Sequence, residues 1–235
     1  MPNRAKCNDI TWQGHADCRH CSVRHLVLFV NLADADLDRT LAPIDELTYA
    51  PQTPLYRAGE RGAHAYTVRS GLLKLVQYLP NGTQRIVRLL RPGDVAGLEI
   101  LVRGAYHHSA VCIEATAVCR IPIAVLKDLD ARKPALHREL MARWQRSLDQ
   151  ADNVITLFST GNSQARVARL LLHLRHLPGE AACNLLSRED MSALLGITVE
   201  TASRIVADFK RRNLIRTDNG QCECDTPGLQ ALAQD

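Results

Sequence analysis

No stretch of the 235 residues is apolar for long enough to cross a bilayer, and the first thirty carry charges throughout where a secretory leader would carry an apolar core. Both absences point to a cytoplasmic protein with no membrane partner. The chain also lacks a phosphate-binding loop and any pairing of a nucleophile with a base, so it is not read as an enzyme. Its eight cysteines lack the regular spacing of a secreted disulfide framework. In a cytosolic chain that number makes metal or redox chemistry the open question.

The net charge of +4 is small but unevenly placed. Nine Lys/Arg and five Asp/Glu lie between Thr160 and Arg216, and the remainder of the chain is balanced. A surplus there suits attraction to phosphate. With 46% hydrophobic residues the chain can bury a core, and its length allows two domains.

Within the basic part, Ser187 to Ile215 reads as two short amphipathic helices. Met191, Leu194 and Leu195 stand at helical spacing, Gly196 allows a sharp turn, and a second period runs through Val199, Ala202, Ile205, Val206 and Phe209. Thr198 suits the N-cap of the second helix, because its hydroxyl can accept an orphan backbone N–H. The solvent face then presents Glu200, Ser203 and Arg204 near the helix start, where a recognition helix meets base edges. Arg204 can bond guanine bidentately, Glu200 can accept from a cytosine amino group, and Val199 can touch a thymine methyl. An ordinary helical hairpin with a charged face would share the pattern.

The words L-G-I-T-V-E-T-A-S-R and K-R-R-N-L-I resemble the recognition region of the Crp/Fnr transcription regulators, and V-E-x-x-S-R is similar to the Fnr branch. The resemblance implies that Val199, Glu200, Ser203 and Arg204 read a TTGAT-type half-site in double-stranded operator DNA. It implies an α+β chain with a cyclic-nucleotide-binding-like β-barrel (jelly roll), a long dimerisation helix and a C-terminal winged helix-turn-helix. The expected divisions are a cysteine-containing arm over 1–30, the sensor barrel over 31–133, the dimer helix over 134–160 and the DNA-binding domain over 161–235.

The arm, polar and irregular from Met1 to His25, holds Cys18-Arg19-His20-Cys21, a C-x-x-C whose spacer lets two sulfurs face one metal. D-C-R-H-C-S-V-R-H-L resembles the cluster-binding segment of Fnr-type sensors, which implies a [4Fe–4S] cluster completed from the barrel by Cys119 in T-A-V-C-R-I-P. Val27 occupies the place of the third arm cysteine. Cys7 is the substitute in the expected set Cys7, Cys18, Cys21 and Cys119; His15, His20 and His25 are further donors, and Cys112 is held in reserve. A regulator of the same type that senses by thiol oxidation, haem or a small ligand is the alternative.

Short β-runs punctuated by glycine and proline from Tyr56 to Ile123 fit a small antiparallel barrel. Cyclic AMP is not expected in it. Leu98 stands where the ribose-binding glutamate should follow G-D-V-A-G, with Glu99 one residue late, and His108 precedes Ser109 where an arginine is needed. The turn Tyr78 to Thr83 resembles the family's loop that contacts RNA polymerase. Cys112 and Cys119 are expected on neighbouring strands, and Asn31 to Tyr49 as a short helix packing Leu37 and Leu41.

Leu136 to Ser159 carries a long helical stripe, Leu136, Leu140, Trp144, Leu148, Ala151, Ile155 and Phe158, which suits a homodimer as well as a helix lying on its own barrel. Asn162 to Leu177 is the next helix, with Arg166 and Arg169 expected on its exposed side against phosphate. A β-wing turns at Asp218-Asn219-Gly220, and its Cys222 and Cys224 are expected on opposite strand faces, unable to share a metal.

Overall fold

The computed structural model describes residues 9–17, 29, 44–175, 182–183, 185–218 and 221–234. Two compact units divide the chain, residues 1–77 with 87–148 and residues 78–86 with 149–235.

The first unit is a jelly roll of two antiparallel sheets. Its strands are β1 Ile10–His15, β2 Asp45–Tyr49, β3 Pro54–Tyr56, β4 His64–Ser70, β5 Leu73–Tyr78, β6 Gln84–Leu90, β7 Val95–Ala96, β8 Ser109–Cys112 and β9 Thr116–Pro122. One sheet has the order β1-β2-β9-β4-β7 and the other β3-β8-β5-β6. Two expectations change here. Strand β1 lies inside the segment read as irregular, and Asp45–Tyr49 is a strand instead of the end of a helix; the rest of that helix, with Leu37 and Leu41, falls outside the described residues. The residues Leu47, Thr48 and Tyr49 favour a pleated, half-buried surface over a helix.

Alternation of side chains gives the five-stranded sheet two apolar faces. Leu47, Tyr49, Tyr66, Val68 and Val118 meet Leu73, Leu75, Ala110 and Cys112 of the other sheet. Ile44, Ala65, Cys119 and Ile121 point the other way, onto the helices that cover the sheet's outer face. Cys112 and Cys119 are therefore not neighbours: they stand in different sheets. At Gly71, φ is 87° and a Cβ would come within 2.8 Å of Ala115 and Thr116, so the β4–β5 turn requires glycine.

The short helix α1 Ile100–Arg103 follows β7, and α2 Ile123–Arg132 and α3 Pro134–Phe158 follow β9. Proline suits the opening of α3, where its missing N–H would be unpaired anyway. Leu126 and Leu129 of α2 and Leu136 and Leu140 of α3 pack in the outer-face core with Cys119. Arg143 is buried and ties α3 to the sheet, donating to the Gly93 carbonyl at 2.7 Å while pairing with Glu139 at 2.6 Å. Beyond this anchored half the apolar stripe turns outward: Leu148 is 61% and Ile155 63% exposed.

The second unit contains α4 Ser163–His173, α5 Arg188–Leu195, α6 Val199–Arg211 and α7 Thr226–Ala233, with the strands β10 Ala182–Cys183, β11 Ile215–Asp218 and β12 Gln221–Cys224 in the order β10-β12-β11. Val167, Leu170 and Leu171 of α4, Met191 and Leu194 of α5 and Ile205, Val206 and Phe209 of α6 form its buried centre. Among the described residues no helix is long and apolar enough to cross a membrane.

Candidate nucleic-acid interface and sensor residues

Helix α5 starts at Ser187, whose hydroxyl accepts from the Asp190 amide at 3.0 Å, and stops at Gly196 with φ 65°. A left-handed residue there ends the helix without the penalty a Cβ would bring. Two residues later Thr198 caps α6, accepting from the Thr201 amide at 3.1 Å. These local signals give a tight helix-turn-helix. Ala202, Ile205, Val206 and Phe209 are buried, so the face of α6 that remains outward carries Glu200, Ser203 and Arg204, with Val199 37% exposed at its start. Thr198, Val199, Glu200, Ser203 and Arg204 are thus brought onto one exposed helix start. The Glu200 carboxyl is held below its ordinary pKa by its own backbone amide and by the Thr198 hydroxyl, which keeps it an ionised acceptor.

Beside this face lies a recess of about 510 Å³ lined by Asn162, Ser163, Gln164, Arg204, Asp208 and Arg211. Asn162 caps α4, accepting from the Ala165 amide at 2.9 Å, so the positive end of a helix dipole opens on the recess. Reading the sequence did not single out Asn162 to Gln164. An N-cap residue followed by a helix and a neighbouring basic cluster is the signal that could have found them.

Arg166 and Arg169, expected on the exposed side of their helix against phosphate, are instead half-buried and direct guanidinium donors to carbonyls within the second unit. Arg166 donates to the Leu195 carbonyl at 2.9 Å, closing the C-terminal end of α5. Arg169 donates to Leu157 at 3.1 Å, to Thr160 at 2.8 Å and to Ala233 at 2.8 Å, gathering the ends of α3 and α7. A guanidinium has five donors in a planar fork, and helix ends leave carbonyls in want of them. Cys222 and Cys224, expected on opposite faces, are both buried, with Glu223 exposed between them; residues two apart in a strand share a face.

In the first unit, Cys119 is buried in the outer-face core, where Ala16 and Phe29 also pack. Cys7, Cys18, Cys21, His20 and His25 lie outside the described residues, and among the described ones no three His, Cys, Asp or Glu are grouped to hold a metal. His15 sits on β1 with its Nδ1 3.6 Å from Asp45. Cys112 is fully buried between the sheets, and burial pushes its thiol up to about 12, so it stays protonated and unsuited to a metal.

At the turn expected to disfavour a cyclic nucleotide, Leu98 is buried in the outer-face core and the Glu99 carboxylate accepts from the His107 amide at 3.3 Å. Ser109 Oγ accepts from the Ala58 amide at 3.0 Å. The His108 imidazole is lowered to about 4, first by burial and then by the charges of His107, Arg88 and Arg103. Where a cyclic phosphate needs a permanent cation there is a neutral ring. These residues do not fit the group.

Residues 46–133 match the cyclic nucleotide-binding domain family and residues 165–232 the Crp-like helix-turn-helix domain family. The chain belongs to the Crp/Fnr family. The transcriptional activator protein Anr of Pseudomonas aeruginosa is 29% identical over 93% of each chain. The fumarate and nitrate reduction regulatory protein of Yersinia pestis is 27% identical over 92% of this chain and 89% of its own. Among solved structures, FixK2 from Bradyrhizobium japonicum is 25% identical, with a TM-score of 0.72 over 80% of this chain and 96% of that one. The protein is a DNA-binding Crp/Fnr-type transcription regulator.

Proposed function

We propose that this Crp/Fnr regulator senses oxygen or redox state through a [4Fe–4S] cluster and, as a homodimer, binds a TTGAT-type palindrome. One observation carries the sensor reading: the buried thiol of Cys119 shares its core with Ala16 and Phe29, the described residues that flank Cys18 and Cys21 on either side. Cys18 is only two residues from Ala16, a reach of about 7 Å. The donor set is soft thiolate, which suits iron and sulfide. Cys18, Cys21 and Cys119 supply three ligands, and the fourth comes from Cys7 or a histidine. Several relatives bear the name anaerobic regulatory protein, in keeping with such a signal.

When bound, the cluster supplies an oxygen-labile bond between arm and barrel thiolates. The chain's own residues carry the consequence. Ala16, Phe29 and Cys119 contact the same core as Leu136 and Leu140, so a change in how the arm is tied alters what the anchored half of α3 packs against. Leu148 and Ile155, seven residues apart on the free half, fit the seam of a parallel helix pair. In the dimer, each α6 enters one of two successive major grooves, with Arg204 on guanine and Glu200 on cytosine. The α4 N-terminus and Arg211 hold adjacent phosphate. The turn Tyr78 to Thr83, with Tyr78 and Leu79 exposed, contacts RNA polymerase.

Anaerobic reconstitution followed by a visible spectrum and iron and sulfide analysis tests the sensor. A broad charge-transfer absorption with matched iron and sulfide is expected. A sharp Soret band would assign haem instead, and a colourless, iron-free protein would end the cluster reading.

A further inference from the structure

Resting on the reading above that α6 meets DNA through Arg204, we infer that Asp208 is a specificity-determining residue, which holds Arg211 and Arg212 back from phosphate. Non-specific binding stays weak, and the base contacts of Arg204 decide where the protein settles. The Asp208 carboxylate accepts from both guanidinium groups, from Arg211 Nη2 and from Arg212 Nη1 at 3.4 Å. The two arginines are 77% and 44% exposed, the aspartate only 19%. Two outlying cations are gathered on one recessed anion.

Local preferences argue against an aspartate here. Asp208 stands in the last turn of α6, where the helix dipole favours cations and disfavours a carboxylate, and aspartate is a weak helix former. Ion pairs to arginines this exposed add little, because solvent screens them and ordering two long side chains opposes them. Helix stability does not account for the residue. Attraction to DNA does not either. Thr201, Arg204, Asp208 and Arg211 follow one another at spacings of three and four, a single stripe of the helix, and they line one recess with Asn162 and Ser163. A carboxylate in the middle of that stripe repels the phosphates its neighbours attract.

The effect of the carboxylate is selective. The acids one turn before and one turn after Arg204 both bond other groups, Glu200 its own backbone amide and the Thr198 hydroxyl, Asp208 the two arginines beyond it. The Arg204 guanidinium keeps its donors for a base edge. Arg211 and Arg212, in contrast, reach phosphate only by exchanging one oxyanion for another, which gains less than an unpaired guanidinium would. Non-specific binding consists of phosphate contacts and adopts whatever orientation gathers most of them, so it bears this loss at both arginines. Base contacts hold the operator complex to one orientation. In that orientation the recess brings Arg211 to the backbone beside α4, while Arg212 lies outside it. Specificity is the difference between the two affinities, and the anion widens it.

The test measures binding of the full chain and its Asp208→Asn variant to a duplex carrying the TTGAT-type palindrome and to a random-sequence duplex, each over a range of salt. Asparagine keeps the shape and removes the charge. Random-duplex binding is expected to tighten about fivefold per subunit. Its slope of log K against log salt should steepen by about 0.9 for each arginine released. Palindrome binding should tighten less, so the ratio of the two affinities falls, and Asp208→Glu, which keeps the charge, should stay at wild-type values. Arg212→Gln supplies a second measurement: it should leave the wild-type slope on the random duplex unchanged and reverse part of the steepening in Asp208→Asn. Unchanged random-duplex affinity and slope in Asp208→Asn, equal tightening on both duplexes, or a shallower slope in Arg212→Gln alone overturns the inference. Arg204→Ala separates the failures. If it keeps the full preference for the palindrome, the reading of α6 on which the inference rests fails with it; if it loses that preference, only the role of Asp208 is overturned.

Discussion

Replacing Arg169 by alanine separates two accounts of a basic residue in a DNA-binding unit. The guanidinium is partly buried and donates to the carbonyls of Leu157, Thr160 and Ala233. A hydrogen bond from a charged donor contributes about 1.5–3 kcal/mol where both groups are dry. Solvent can rehydrate some of these carbonyls once the side chain is gone, so the loss for the group is discounted to about 2 kcal/mol in total. At roughly 4–8 °C per kcal/mol for a domain of this size, the second unit should melt about 10 °C lower. Arg169→Lys should recover only part of this, because one ammonium cannot fork across three acceptors. The decisive assay is the salt dependence of DNA binding in the same variants. A lysine or arginine on a phosphate contributes about 0.9 to the slope of log K against log salt. If Arg169 ties helix ends, the alanine variant melts earlier and its slope below the melting range equals that of the wild type. A variant of unchanged melting temperature whose slope falls by about one per subunit would refute this reasoning and restore the phosphate role.

Three other outcomes follow from the same geometry. Arg204→Ala should lose about 1–3 kcal/mol of binding per half-site and relax preference at one base pair, as measured against a panel of single-base operator variants; equal weakening on every sequence would remove its base-reading role. Leu148→Glu with Ile155→Glu should give a monomer by analytical ultracentrifugation with an unchanged far-ultraviolet spectrum, since both side chains stand exposed on the free half of α3 and a buried pair of carboxylates there is prohibitive. His108 has a folded pKa of about 4, below its unfolded value, so the unfolded state binds the extra proton between about 4 and 6.5 and stability falls as pH drops through that window. After allowance for partial exposure the effect is about 1–2 kcal/mol; His108→Gln should flatten the melting temperature across that range, and an unaltered profile would exclude the imidazole.

The parts legible in the sequence were those whose causes are local. Thr198 caps α6 because a hydroxyl two residues past a left-handed glycine can reach an orphan amide, and Ala202, Ile205, Val206 and Phe209 are buried because their spacing puts them on one side of a helix. Nothing local announces that Arg169 will meet Leu157 and Ala233, since its partners come from the ends of two other helices and an arginine at helical spacing looks the same whether it faces phosphate or carbonyl. The long helix shows the same limit: its stripe could not be divided between barrel and partner until Arg143 was seen to fasten one half to Gly93, leaving Leu148 and Ile155 outward. Strand β1 was hidden for a different reason. Its residues are nearly all exposed, so no alternation of apolar and polar side chains marks it, and it exists through backbone pairing with β2 and the hold of Asp45 on Trp12.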